Sequence, residues 1–420
     1  VAWGRGRRDA SSRARLEPRK IIAAMGPGMV AALAGADAGG VATYSNAGAL
    51  FGFNQLWTVP VMCFLLIVAQ ETAARMGCVT GKGFASLIRE QFGVRLSAVA
   101  MLALLVSNTT VTLSEFAGIA SGLALFGVPV YVSVPVAALA IWLLTMSGSY
   151  RRIEKVLLAI ACVFVTYIVA GVMVGPDWGD ALLHTVVPHV EASPQYLSLL
   201  VASVGTAIAP WMLFLAQSNV VEKNARAEDL PYQRVDTVTG AVAASLISWF
   251  IILTTGAVLH PAGIAVNGAE DAAAALAPLV GRYAEALFGA GLVGASFLAA
   301  CVLPGITSSA VCEAFGWERG ADRSWAEAPA YRGIITAVIA ISAVVVMVPN
   351  VNLFAIMMVA QVINGVLLPV LLVFMVLIAS DRHVMGRHVN GRAWNALTWF
   401  MIVAVAVLTV IMFVMQAMGV

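Results

Sequence analysis

Hydrophobic positions in this chain come in long runs and seldom alternate with polar ones, and short polar clusters separate the runs. Runs able to cross roughly 30 Å of hydrocarbon as helices lie near 21–48, 51–75, 96–126, 129–147, 153–175, 198–221, 236–260, 286–313, 331–349, 352–379 and 395–418. The pattern predicts an all-α polytopic membrane protein of 11 transmembrane helices. The hydrophilic stretches between them, around 75–95, 176–197, 222–235, 260–285 and 314–330, leave no room for a soluble domain. Residues 21–420 therefore read as one transmembrane domain behind a cytoplasmic tail, 1–20. That tail is Arg-rich and lacks the apolar core of a signal peptide. Because the sequence opens on Val, the native start is expected to lie upstream.

Two of the runs are interrupted by residues that do not continue a helix: Gly35-Ala36-Asp37-Ala38-Gly39-Gly40 and Gly205-Thr206-Ala207-Ile208-Ala209-Pro210. Lipid cannot satisfy the backbone groups such breaks expose, so they survive only where they line a cavity or hold an ion. Spans one to five (about 21–175) and six to ten (about 198–380) each open on a break. Five is odd, so the second half must run inverted in the membrane, with span eleven (about 395–418) outside the repeat. In a break, unpaired carbonyls end the first half-helix with partial negative charge. Asp37 adds a carboxylate there. The plain alternative is a kink at a Gly cluster with Asp37 capping the second half-helix. A second, matched break and an acid that is expensive at that depth favour a cation site.

Composition and charge agree with the span count. Hydrophobic residues make up 61% and charged residues 11% of the chain, against about 25% charge in soluble domains, and the mean hydropathy is +0.91. With the N-terminus inside, every Lys and Arg except Arg282 falls in a cytoplasmic segment, as the positive-inside rule requires. The net charge of +2 thus reports topology, and no nucleic-acid partner is expected. The five cysteines show no metal-ligand spacing and read as small apolar residues. No nucleophile–base pair, metal-His cluster or phosphate loop appears, so neither an enzyme nor a resident cofactor is expected.

Polar residues inside the spans are few. Glu115 in span three is either a functional carboxylate or a neutral, hydrogen-bonded structural acid. Gln361 and Asn364 share a face of span ten; they either line the same cavity or bond helix to helix. Glu71 and Glu313 sit near Arg75 and Arg319 at cytoplasmic ends, where solvated or paired roles fit. Asn108 alone carries too little signal to interpret.

These residues resemble the NRAMP family of divalent-metal transporters along nearly the whole chain. Gly26-Pro27-Gly28 followed by Asp37-Ala38-Gly39-Gly40 is similar to the family's first-span pattern, GPG then Asp-Pro-Gly-Asn. Gly205 to Trp211 lines up with Gly-Ala-Thr-Val-Met-Pro-His. Supporting matches are Ser114-Glu115-Phe116-Ala117-Gly118, Gly77 to Gly83, Gln361 to Gly365 with Leu368-Pro369, and Ser380-Asp381-Arg382 with Met385-Gly386 and Asn390. The resemblance implies a LeuT-like fold and a metal site built from the Asp, Asn and Met side chains and backbone carbonyls of the breaks. On this chain those positions are Asp37, Gly40 and Ala209, with carbonyls at Ala34 and Thr206 and a further ligand at Gln361.

The departures shape the expected function. Gly40 stands for the Asn and Ala209 for the Met, so the thioether that favours transition metals is gone and the site is larger. That suits Mg²⁺, which sheds water reluctantly and binds through one or two carboxylates plus waters, with Mn²⁺ as a second cargo. The family's proton-linked His and third-span Asp are Trp211 and Thr112 here; with Glu115 and Asn364 these are gating or former proton-path positions. Uncoupled flux is expected, although an Asp37–Glu115 relay stays open. Rival readings are a proton-coupled Mn²⁺/Fe²⁺ carrier, carriage of Al³⁺, an amine or an amino acid, and a non-transporting sensor of the same fold. A monomer in a bacterial inner membrane, in contact with lipid and divalent ions and with no obligate protein partner, is expected.

Overall fold

The computed structural model describes residues 37–147 and 162–418. Twelve principal helices carry the fold: α1 (Ala38–Phe51), α2 (Thr58–Thr80), α3 (Phe84–Ala124), α4 (Val130–Ser147), α5 (Thr166–Val174), α6 (Pro194–Ala207), α7 (Pro210–Glu222), α8 (Leu230–Val258), α9 (Ala284–Phe315), α10 (Pro329–Val346), α11 (Leu353–Ser380) and α12 (Arg392–Met418). Among the described residues there is no strand, and nine helical segments are long and apolar enough to cross a membrane, counting the α6–α7 pair as one. Spans one and five are described only in part, through α1 and the apolar segment Val163–Val174.

The all-α reading therefore holds, with differences at the boundaries. The stretch 75–95 was expected to be a loop, yet α3 begins at Phe84 and includes a kink at Gly93, φ 73° and ψ −177°. Apolar Phe84, Leu87 and Ile88 are buried there, so the first turns form an amphipathic helix against the bundle that a search for membrane-length runs passes over. Likewise a short helix, Trp178–Val186, lies in the stretch 176–197, started by Asp177 accepting from Gly179 N and Asp180 N.

The helices sort into two groups. One joins α1 to α8 and the α6–α7 pair to α2; the other joins α3 to α9 and α4 to α10. The pairings exchange between halves: α1 meets α8 as α7 meets α2, and α5 meets α8 as α11 meets α2. This is the contact pattern of an inverted repeat. Helices in lipid gain little from the hydrophobic effect, so small residues that admit close backbone approach fix the crossings. At the crossing of α6 and α11, a Cβ on Gly205 would sit 2.1 Å from the Gln361 carbonyl oxygen, and one on Gly365 2.4 Å from that of Val201.

Candidate metal site

Local chemistry dictates the break between α6 and α7. Pro210 has no N–H, and it drives the preceding residue away from helical angles; Ala209 accordingly lies at φ −66°, ψ 135° and Ile208 at φ −125°, ψ 61°. In an unbroken helix the Thr206 carbonyl would accept from residue 210, so proline removes its donor outright. The Gly205 carbonyl is recovered by a side chain, accepting from Asn364 Nδ2 at 2.6 Å.

On the other side of the site Asp37 caps α1. Its Oδ1 accepts from Gly40 N at 2.6 Å, and its backbone is extended at φ −71°, ψ 173°. The capping role proposed as the plain alternative is thus real, and it coexists with a position facing the second break. Thr206 Oγ1 donates to Asp37 Oδ1 at 3.4 Å, and Gln361 Nε2 donates to Asp37 Oδ2 at 3.4 Å. Asp37 is 1% exposed, and these partners are all neutral.

A directed chain of donors ends on that carboxylate. Ser107 Oγ of α3 donates to Asn364 Oδ1, Asn364 Nδ2 donates to Gln361 Oε1 at 3.3 Å, and Gln361 Nε2 reaches Asp37. The Gln361 nitrogen, a partial positive charge, stands where a cation would meet the carboxylate. Gly39 makes this approach possible, since a Cβ there would lie 2.0 Å from Gln361 Nε2. Glu115 approaches from α3: its Oε2 accepts from Ala38 N at 3.3 Å, serving one of the unpaired amides at the start of α1. Beside Thr206 lies a small cavity of about 20 Å³ lined by Tyr44, Gln70, Thr206, Met212, Ser245 and Ser248 among others, space for about one water among several polar groups.

Asp37, Gly40, Thr206, Gln361, Asn364 and Glu115 are brought together by these bonds. Ala209 lies in the break, buried, with only a methyl group to offer. Ala34 lies outside the described residues. Thr112 is buried, but its hydroxyl donates to the Asn108 carbonyl one turn back, at 2.7 Å, and makes no bond to Asp37. Trp211 is 1% exposed and its Nε1 finds no hydrogen-bond partner among the described residues. Ser107 was missed in the sequence, and Asn108, whose Nδ2 donates to Thr307 Oγ1 at 2.8 Å, was left uninterpreted. Two adjacent polar residues inside span three were the available signal. No cluster of three or more His, Cys, Asp or Glu occurs among the described residues; the groups gathered at Asp37 are the Thr206 hydroxyl, the Gln361 amide and the Gly40 N–H.

Comparisons with known proteins agree with this fold. A sequence profile described as natural resistance-associated macrophage protein-like matches residues 28–415. A divalent metal cation transporter MntH of Verminephrobacter eiseniae is 27% identical over 396 residues, covering 89% of this chain and 86% of the relative. One of Ralstonia nicotianae is 28% identical over 391 residues, 88% and 85% of the two chains. Among solved structures, a manganese transporter of Eremococcus coleocola superposes with a TM-score of 0.76 at 20% identity, covering 94% of this chain and 86% of that one. MhsT in complex with L-phenylalanine gives 0.61 at 13% identity, 92% and 97% of the chains. These likenesses show the fold.

Proposed function

The chain belongs to the natural resistance-associated macrophage protein-like (Nramp) family, and on that premise we propose that it carries divalent cations across a bacterial cytoplasmic membrane, Mg²⁺ foremost and Mn²⁺ as well, without moving protons in return. The curated relatives are named as divalent metal cation transporters, which supports the coarser part of this reading. The observation that carries the finer part is the oxygen-only donor set: Asp37, the freed Thr206 carbonyl and Gln361, with Gly40 and Ala209 where the family supplies an amide and a thioether. Hard oxygens suit Mg²⁺, while thioether sulfur selects softer ions. Few direct ligands suit an ion that keeps part of its water shell, and the small cavity beside Thr206 has space for about one such water.

Loading would reorganise one side chain. Gln361 now donates to Asp37 through nitrogen; a cation arriving at the carboxylate repels that N–H and attracts Oε1, so the amide turns over. Its bond from Asn364 is then lost unless Asn364 follows. This coupling passes through Asn364 to Ser107 on α3, from the group containing α1 and α6 to the group containing α3. Rocking of one group against the other, with the breaks as hinges, is the motion such a fold supports. The membrane potential is a sufficient driving force: about 2.3 kcal/mol per charge per 100 mV gives a divalent ion about 4.6 kcal/mol, or accumulation on the order of 10³-fold.

The test is Mg²⁺ uptake into proteoliposomes under a set potential, with internal pH followed and Asp37→Ala as control. Uptake abolished by the substitution and unaccompanied by a pH change supports the reading. A second reading, proton-coupled Mn²⁺ carriage, is favoured by the Glu115 carboxylate bonded to the amide next to Asp37. Acidification that tracks cation uptake, and disappears in Glu115→Gln, would establish it instead.

A further inference from the structure

A second polar cavity lies far from the breaks in sequence, at the cytoplasmic ends of α2 and α8 and the start of α12. It measures about 630 Å³ and is lined by Ile67, Glu71, Arg75, Arg234, Arg387 and Trp394 among others. At its floor Glu71 holds two arginines: Arg75 Nε at 3.2 Å and Arg234 Nη2 at 2.9 Å. Arg75 is committed further, donating to the His388 carbonyl at 2.6 Å and to Asn390 Oδ1 at 2.5 Å. Arg234 is not; its side chain remains 57% exposed. Arg387 lies at the rim, exposed, and its Nε donates to His388 Nε2 at 3.2 Å. One carboxylate against three guanidinium groups leaves the cavity strongly cationic.

The chemistry changes above the charged floor. Val238, Val242 and Leu246 follow Arg234 at four-residue spacing along one face of α8, each exposed. On α2, Ile67, Phe64 and Val61 lead away from Glu71 in the same way, with Phe64 and Val61 exposed. Two packed helices thus offer apolar stripes that climb from the cavity toward the membrane interior. Trp394, with Nε1 tied to Thr72 Oγ1 at 3.1 Å, stands at the junction, the level at which membrane proteins place indoles.

The geometry points to a binding site for an anionic phospholipid, whose phosphodiester sits between Arg234 and Arg387 and whose acyl chains lie along the α2 and α8 stripes. Charge alone would suit any phosphate from the cytosol. The stripes are what select the lipid, because a soluble anion has no use for them. Basic pockets between helices on the cytoplasmic side are suited to such headgroups.

Native mass spectrometry of the purified full chain tests this, with phosphatidylglycerol, phosphatidylcholine of the same acyl chains and inorganic phosphate as probes. Phosphatidylglycerol should be retained over phosphatidylcholine and resist displacement by phosphate. Arg234→Gln and Arg387→Gln should each weaken retention about fivefold, and Arg234→Lys should preserve most of it. Val242→Asp, which places a carboxylate on the acyl path, should also release the lipid. Among the described residues Arg387 is hydrogen-bonded to its neighbour His388 alone, so its variant keeps the test open if Arg234→Gln fails to fold. Equal retention of the two lipids, or arginine variants that retain phosphatidylglycerol fully, would overturn the site. Displacement by phosphate, with phosphate binding unchanged in Val242→Asp, would make it a soluble-anion pocket and overturn the lipid.

Discussion

At the scale of single residues, the site is defined as much by side chains that are missing as by those present. Ala209→Met returns a thioether to the second break, and Mn²⁺ should then gain on Mg²⁺ by about tenfold in competition uptake, roughly 1.4 kcal/mol of preference. Unchanged selectivity would show that the methyl position does not face the ion. Gly39→Ala probes the opposite wall. Alanine is favoured over glycine inside a helix by about 1 kcal/mol, yet its Cβ would collide with the Gln361 amide. The variant should melt no lower than the parent while its cation uptake falls severalfold, a separation that a purely structural role for Gln361 would not produce. Asp37 and Gln361 were readable as candidates from the sequence, because ionisable and amide residues stand out in apolar runs. Ser107 and Gly39 were harder to weigh, since hydroxyls and glycines are common in membrane helices and only their neighbours give them a role.

At the scale of elements, the break between α6 and α7 depends on Pro210. Pro210→Ala supplies an N–H for the Thr206 carbonyl and removes the restriction on Ala209. The helix can then run through, so thermal stability should hold or rise while transport is lost; full activity would mean that the break is maintained by packing alone. The crossing of α6 and α11 gives the converse result. Gly205→Ala forces a methyl onto the backbone of Gln361 and Gly365, atoms that cannot swing aside, and overpacking of this kind destabilises by about 1–3 kcal/mol. A lowered melting temperature is expected, without a change in selectivity in the protein that remains folded. The break between α6 and α7 was legible as a string of Gly and Pro; the residues before Asp37 lie outside those described. The cytoplasmic start of α3 was not legible, because its apolar residues face the bundle at helical spacing and never form a membrane-length run.

At the scale of the whole molecule, the two helical groups meet at the site through short polar bridges, and the group containing α2 and α8 is tied further by charge at the end of the bundle where α2 stops and α8 begins. Glu71 joins α2 to α8 through Arg234, and Arg75 joins α2 to the segment leading into α12 through His388 and Asn390. Glu71→Ala leaves Arg75 buried without its counter-ion, a change that typically destabilises by about 3–5 kcal/mol; a Tm close to the parent's would mean that water replaces the carboxylate there. The all-helical membrane character and the order of the nine spans described in full were readable from the sequence alone. The reason is that lipid demands long apolar runs and tolerates a backbone break only in special residues. What tertiary structure decided is which oxygens converge. Asp37, Thr206 and Gln361 are separated by up to 324 positions along the chain, and no periodicity relates them. Only the crossing of α6 and α11 at paired glycines, beside the capped start of α1, sets their distances and leaves Thr112 turned to its own helix.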